Sequence, residues 1–162
     1  DDAAVTVELL MAESDADLAE AAALFGEYQR WLGVDLCFQG FEEELAGLPG
    51  AYAAPQGLLL LAKDGGHSAG CVAVRPLSGV APGICEMKRL YVRDRWRGSG
   101  LGRRLAEATF EHARTAGFRR MLLDTLPQLT VAKEMYRRMG FVEIDRYYEN
   151  PLPGVVYMEK IL

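Results

Sequence analysis

Apolar and polar positions are arranged along this chain in blocks whose period switches between that of strands and that of helices. Val5 to Met11 reads as a short strand. Ser14, three residues before Asp17, has the form of a helix N-cap, and Leu18, Ala21, Phe25, Tyr28 and Leu32 then recur at helical spacing. A second short helix is predicted around Gln39 to Leu48, ended by Pro49-Gly50. GLLLLAKD (57–64) predicts a strand, DGGH (64–67) a hairpin turn, and AGCVAVRPL (69–77) the returning strand. ICEMKRLYV (84–92) predicts the next strand. A helix follows from about Gly100 to Ala116, closed by Gly117. RRMLLDT (119–125) predicts a strand, and LTVAKEMYRRM (129–139) a helix closed by Gly140. FVEIDRYY (141–148) and VVYMEKI (155–161) predict final strands joined by ENPLPG.

The order β-α-α-β-β-β-α-β-α-β-β implies an α/β (α+β) fold with a mixed, mostly antiparallel sheet flanked by helices. The strand at 84–92, the helix after it and the strand at 119–125 would form a right-handed βαβ crossover. Ligands in such units collect at the strand ends, near the helix N-terminus.

A length of 162 residues suits a single domain spanning 1–162. No apolar run approaches a membrane span, and the N-terminus shows no basic-then-apolar signal pattern, so no membrane partner is expected. Cys37, Cys71 and Cys85 are odd in number, widely spaced and lack a CxxC, which argues against a disulfide framework or a zinc site. No metal is therefore expected, and a reducing cytoplasm is the default location. The net charge of −5 is unevenly spread: residues 1–64 hold 13 acids and 2 bases, residues 65–162 hold 10 acids and 16 bases. The acidic half argues against nucleic acid as a partner and, taken alone, favours a cationic ligand.

The basic charge concentrates in RLYVRDRWRGSGLGRRL (89–105), where Gly98, Gly100 and Gly102 alternate. A glycine loop entering a helix offers free backbone N–H groups and the positive end of the helix dipole to an anion. Glycine leaves room for a phosphate to approach the backbone. The dinucleotide pattern GxGxxG fails at its third position, Arg103, although Asp124 at the end of the next strand keeps that reading open. The Walker pattern is absent. The stretch does fit R-x-x-G-x-G, as Arg97, Gly100 and Gly102.

Here the chain resembles the GNAT superfamily of N-acetyltransferases. AKEMYRRMGF (132–141) is similar to that family's A-x-x-[LM]-Y-x-x-x-G-F segment, and the element order matches along nearly the whole chain. One departure stands at Leu129, where many members carry an asparagine that contacts the pantetheine arm. The resemblance implies acetyl-CoA as cosubstrate. Its pyrophosphate would sit on Arg97, Gly98, Ser99, Gly100, Leu101, Gly102 and Arg103, and its pantetheine amides along the backbone of Leu90, Tyr91 and Val92. It also implies a splay between the strands at 84–92 and 119–125, and leaves a homodimer open.

Acetyl transfer to an amine needs a base for the amine's proton, donors for the oxyanion and an acid for the departing thiolate. The resemblance implies Glu86 as base and Tyr136 as acid. Strict strand alternation would put Glu86, Lys88, Leu90 and Val92 on one face, opposite Cys85, Met87, Arg89 and Tyr91. With Cys85 turned away and no paired Cys–His or Ser–His, direct attack in a ternary complex is expected over a covalent acetyl-enzyme. Tyr28, Trp31, Asp35, Phe38, Tyr147 and Tyr148 are candidate walls for the acceptor, a small-molecule or peptide amine, with core packing the competing role for Trp31 and Phe38. A non-catalytic acyl-CoA-binding or regulatory module is the alternative from a different class.

Overall fold

The structure, a computed structural model, describes residues 6–77 and 82–162. The strands are β1 (Val7–Met11), β2 (Leu58–Asp64), β3 (His67–Pro76), β4 (Ile84–Val92), β5 (Arg120–Thr125), β6 (Val142–Ile144) and β7 (Val156–Ile161). The helices are α1 (Asp15–Leu32), α2 (Phe41–Ala46), α3 (Leu101–Thr115) and α4 (Thr130–Arg138). The seven strands form one sheet in the order β1-β2-β3-β4-β5-β7-β6. The pair β4–β5 is parallel and every other pair is antiparallel.

Two helical layers cover the sheet. LLLL in β2 shows the consequence: Leu58 and Leu60 pack into the layer with Leu105, Phe110 and Tyr136, while Leu59 and Leu61 pack into the layer with Leu24, Phe25 and Phe41. A strand buried on both faces loses polar alternation. Ser14 caps α1 by accepting from the Asp17 amide at 3.1 Å. The long strand predicted at 141–148 is shorter than expected. Only Val142–Ile144 pairs with β7, and residues 145–155 form a connection that carries Tyr147 and Tyr148. At the other end Val5 lies outside the described residues, and β1 begins at Val7.

Two irregularities in β4 position the site. First, Cys71 pairs with Tyr91 but Ala73 with Lys88, so one extra β4 residue is inserted opposite Val72. Arg89 takes φ 61° there. This bulge overturns the strict alternation expected for β4. Leu90 and Val92 pack with Met87 on the α3 side, whereas Tyr91 joins the α1–α2 layer, and Lys88 and Arg89 bond to residues at and near α2. A left-handed conformation at a non-glycine residue costs about 1–3 kcal/mol. The Arg89 guanidinium is held against that strain by two bonds to Glu44, at 2.9 and 3.0 Å, and by the face of Phe41. Second, β4 pairs with β5 only from Ile84 to Glu86, opposite Arg120 to Leu122. Beyond that point the strands part, as the resemblance implied.

Candidate active site

The divergence of β4 and β5 opens a cleft of about 1200 Å³. Met87 to Val92 form one wall and Leu123 to Thr125 the other, with α4 alongside and the glycine loop at the mouth. Gly98 (φ 76°) and Gly100 (φ 84°) hold backbone conformations that side chains disfavour. Gly100 caps α3 without any side-chain hydrogen bond, so the first amides of that helix remain available as donors. Gly102 lies inside α3, where an added Cβ would only touch Val92 and Met135. The loop thus has the features of an anion cradle.

Arg97 and Arg103 line the cleft beside this loop; Arg114, in the last turn of α3, and Arg138, at the end of α4, line it elsewhere and had not been singled out in the sequence. Arg97 donates to the Val92 carbonyl at 2.8 Å and lies over Trp31 (4.6 Å) and Tyr91 (5.7 Å). Trp31 is therefore not core: it is 46% exposed and stacks on Tyr28 at the cleft. Ser99 turns its hydroxyl to the Trp96 carbonyl and is not part of the lining. Arg104, adjacent in sequence, points away and donates to the Val7 carbonyl.

Tyr136 projects from α4 into the cleft with its ring against Phe141. Burial pushes its hydroxyl well above the ordinary phenol range, with Tyr28 and the Asp124 carboxylate adding to the effect. No described residue hydrogen-bonds to that hydroxyl. Burial likewise pushes the Tyr28 hydroxyl up to about 12.

Glu86 is placed differently from the expectation. It is 1% exposed and does not line the cleft. Its Oε1 accepts from Arg75 at 2.8 Å and its Oε2 from the Tyr147 hydroxyl at 2.5 Å. Glu86 stands at the last paired β4–β5 position, opposite Leu122, before the strands part, and Arg75 and Tyr147 close over it. Tyr147 is consequently occupied with Glu86 and is not a free wall residue. Asp35 is exposed and caps the Cys37 amide at 2.9 Å, away from the cleft. The side chain of Phe38 lies outside the described residues.

Tyr148 joins a network instead. Its hydroxyl donates to Asp124 and accepts from Gln39 (3.2 Å) and Asn150 (2.9 Å). Gln39 in turn accepts from Lys88 at 3.0 Å, and Asn150 also donates to Asp124 at 3.2 Å. Burial pushes the Lys88 amine down to about 8, opposed by the Glu86 charge. Lys88 and Asp124 both line the cleft. Neither was a site candidate in the acetyltransferase reading; their one signal was their place near the ends of adjacent strands.

The acidic half of the chain does not make an acidic cleft. Glu20 pairs with Lys63, Glu27 with Arg93 and Glu44 with Arg89. Cys85 is buried outside the cleft, its thiol pushed up to about 12 by desolvation, and Cys71 is buried too. Among the described residues no helix is long and apolar enough to cross a membrane.

A parallel strand pair that splays beside a glycine-capped helix is the layout of an acetyltransferase of the GNAT type. Residues 18–141 match the acetyltransferase (GNAT) family, and the chain belongs to it. It is 44% identical over 143 residues to an uncharacterized N-acetyltransferase of Schizosaccharomyces pombe, covering 88% of this chain and 86% of that one. Among solved structures it is similar to an acetyltransferase from Streptococcus agalactiae, with TM-score 0.80, 20% identity, and 98% and 99% of the two chains covered. A Salmonella typhimurium protein described as an acetyltransferase, and solved with its cofactor acetyl-CoA, aligns with TM-score 0.71 and 18% identity over 96% and 94% of the chains. At those identities the two structures show the fold.

Proposed function

We propose that this protein binds acetyl-CoA and passes the acetyl group directly to a primary amine in a ternary complex. One observation carries the reading: the open N-terminus of α3 behind Gly98 and Gly100 stands at the mouth of the cleft that holds the Tyr136 hydroxyl. The α3 amides, with Arg97 and Arg103, would hold the pyrophosphate, and the unpaired edge of β4 from Leu90 to Val92 the pantetheine amides. Leu129 lines the cleft where a polar contact is common in the family, so that contact is missing here. The Salmonella typhimurium neighbour's acetyl-CoA supports the cosubstrate assignment.

Tyr136 is suited to give a proton to the departing sulfur. A phenol is protonated at neutral pH, Tyr136 lines the cleft, and among the described residues no acceptor competes for its hydrogen. Direct transfer is supported by the position of Cys71 and Cys85 outside the cleft. Glu86 is buried outside the cleft with Arg75 and Tyr147 on its oxygens, so in this arrangement it braces the β3–β4 pair and the 145–155 connection. Three free cysteines suit a reducing cytoplasm.

The test is calorimetric titration with acetyl-CoA, followed by a screen of primary amines for free-thiol release. Binding with amine-dependent release is expected. Binding with no release across the panel would favour the non-catalytic acyl-CoA module. No binding would overturn the reading of the glycine loop.

A further inference from the structure

We propose that Asp124, and not Glu86, is the carboxylate that receives the acceptor amine and takes its proton. The inference rests on the acetyltransferase reading. It comes from comparing the two acids at the parallel β4–β5 junction. Each oxygen of Glu86 accepts a hydrogen bond, from Arg75 and from Tyr147, and the group is buried outside the cleft. Asp124 lies two residues past the last β4–β5 pair, where the strands have separated, and faces the cleft.

Its two oxygens are unequal. Oδ2 accepts from both Tyr148 and Asn150, which fixes the plane of the carboxylate. Oδ1 accepts no hydrogen bond from a described residue. A fixed carboxylate with one free oxygen in a cleft is suited to take a hydrogen from an incoming nitrogen. Asn150 is itself held, since its Oδ1 accepts from the Leu152 amide at 2.9 Å.

The groups around Asp124 agree with this role. Tyr28 from α1, Tyr136 from α4, Tyr147 and Tyr148 from the 145–155 connection and Tyr157 from β7 all have hydroxyls whose proton affinity the Asp124 charge raises. They stay neutral at physiological pH. Lys88 is reached from it through Tyr148 and Gln39, and Arg89 and Arg146 act on two of the same hydroxyls, those of Tyr28 and Tyr157. Asp124 also sits close enough to Tyr136 to influence it, so base and acid share one cleft.

The step balances as follows. The neutral amine's lone pair forms the new N–C bond, and Asp124 Oδ1 takes one proton from that nitrogen. The C–S bond breaks, and the sulfur takes the proton of Tyr136. Tyr136 regains its proton from Asp124 through solvent, so the net reaction is amine plus thioester to amide plus thiol.

The experiment compares wild type, Asp124→Asn and Glu86→Gln in thiol release against pH, with the amine of the screen that wild type uses fastest. Acetyl-CoA affinity is measured by calorimetry on the same samples. Asp124→Asn should keep acetyl-CoA affinity within about 3-fold and lose about 100-fold or more in kcat/KM for the amine at neutral pH. Its rate should climb steadily toward high pH, as hydroxide replaces the missing base, a signature that a packing defect would not give. Asp124→Glu should recover part of the rate. Asp124→Asn with a wild-type pH profile and near-wild-type rate would overturn the assignment, as would that profile being lost in Glu86→Gln but kept in Asp124→Asn. Wild-type protein that binds no acetyl-CoA, or turns over no amine of the screen, would instead overturn the acetyltransferase reading, and this assignment with it.

Discussion

Replacing Tyr136 by phenylalanine separates stability from chemistry at one atom. The ring is 6% exposed and packs on Phe141, so Phe keeps the apolar contacts. The hydroxyl has no hydrogen-bond partner among the described residues, and its burial opposes ionisation. Removing a polar group that has been partly desolvated without a partner is neutral or favourable, by up to about 1 kcal/mol. For a chain of this size that is a Tm change between zero and roughly +4 °C. Turnover should move the other way. An acid at the leaving sulfur is worth about 10²-fold or more, and kcat should fall by that much while calorimetric affinity for acetyl-CoA holds. The assays are thermal unfolding, calorimetry and thiol release on one preparation. A Tm drop of more than about 3 °C would mean that the hydroxyl anchors the fold, and full activity would remove it from the chemistry; either result refutes the reasoning.

Gly100→Ala forces a side chain into φ 84° and should cost about 1 kcal/mol of stability and at least about 10-fold in acetyl-CoA affinity, read by calorimetry. Gly102→Ala is the contrast: inside α3, with only ordinary contacts for its Cβ, it should raise stability by up to about 1 kcal/mol in urea unfolding. Gly70→Ala would place a Cβ 2.5 Å from the Tyr91 carbonyl and push β4 off β3 at the bulge, lowering Tm by roughly 5–10 °C on a cost of about 2–3 kcal/mol. Lys88 binds its proton less tightly in the folded chain (about 8) than in the unfolded chain (10.5), so the unfolded chain holds more protons between those values. The stability term from this group therefore rises with pH from about 8 to 10.5, and Lys88→Met should flatten urea-unfolding stability across that window.

What the sequence determined by itself was whatever depends on near neighbours along the chain. The element order, the Ser14 cap, the glycine loop entering α3 and the tyrosine of α4 follow from period, capping and backbone freedom, which a short window contains. Tertiary structure decided the faces of β4 and the pairing of its charges. One inserted residue at Arg89 reverses which layer Leu90, Tyr91 and Val92 join, and it is held by Glu44, 45 residues away. Glu86 is taken out of the cleft by Tyr147, 61 residues away, and Asp124 is fixed by Tyr148, whose hydroxyl also reaches Gln39 across 109 residues. Two acids of the N-terminal half, Glu27 and Glu44, are likewise paired with Arg93 and Arg89 from the basic half. Which acid is sealed and which is left with a free oxygen depends on contacts between distant segments, and no local pattern encodes those.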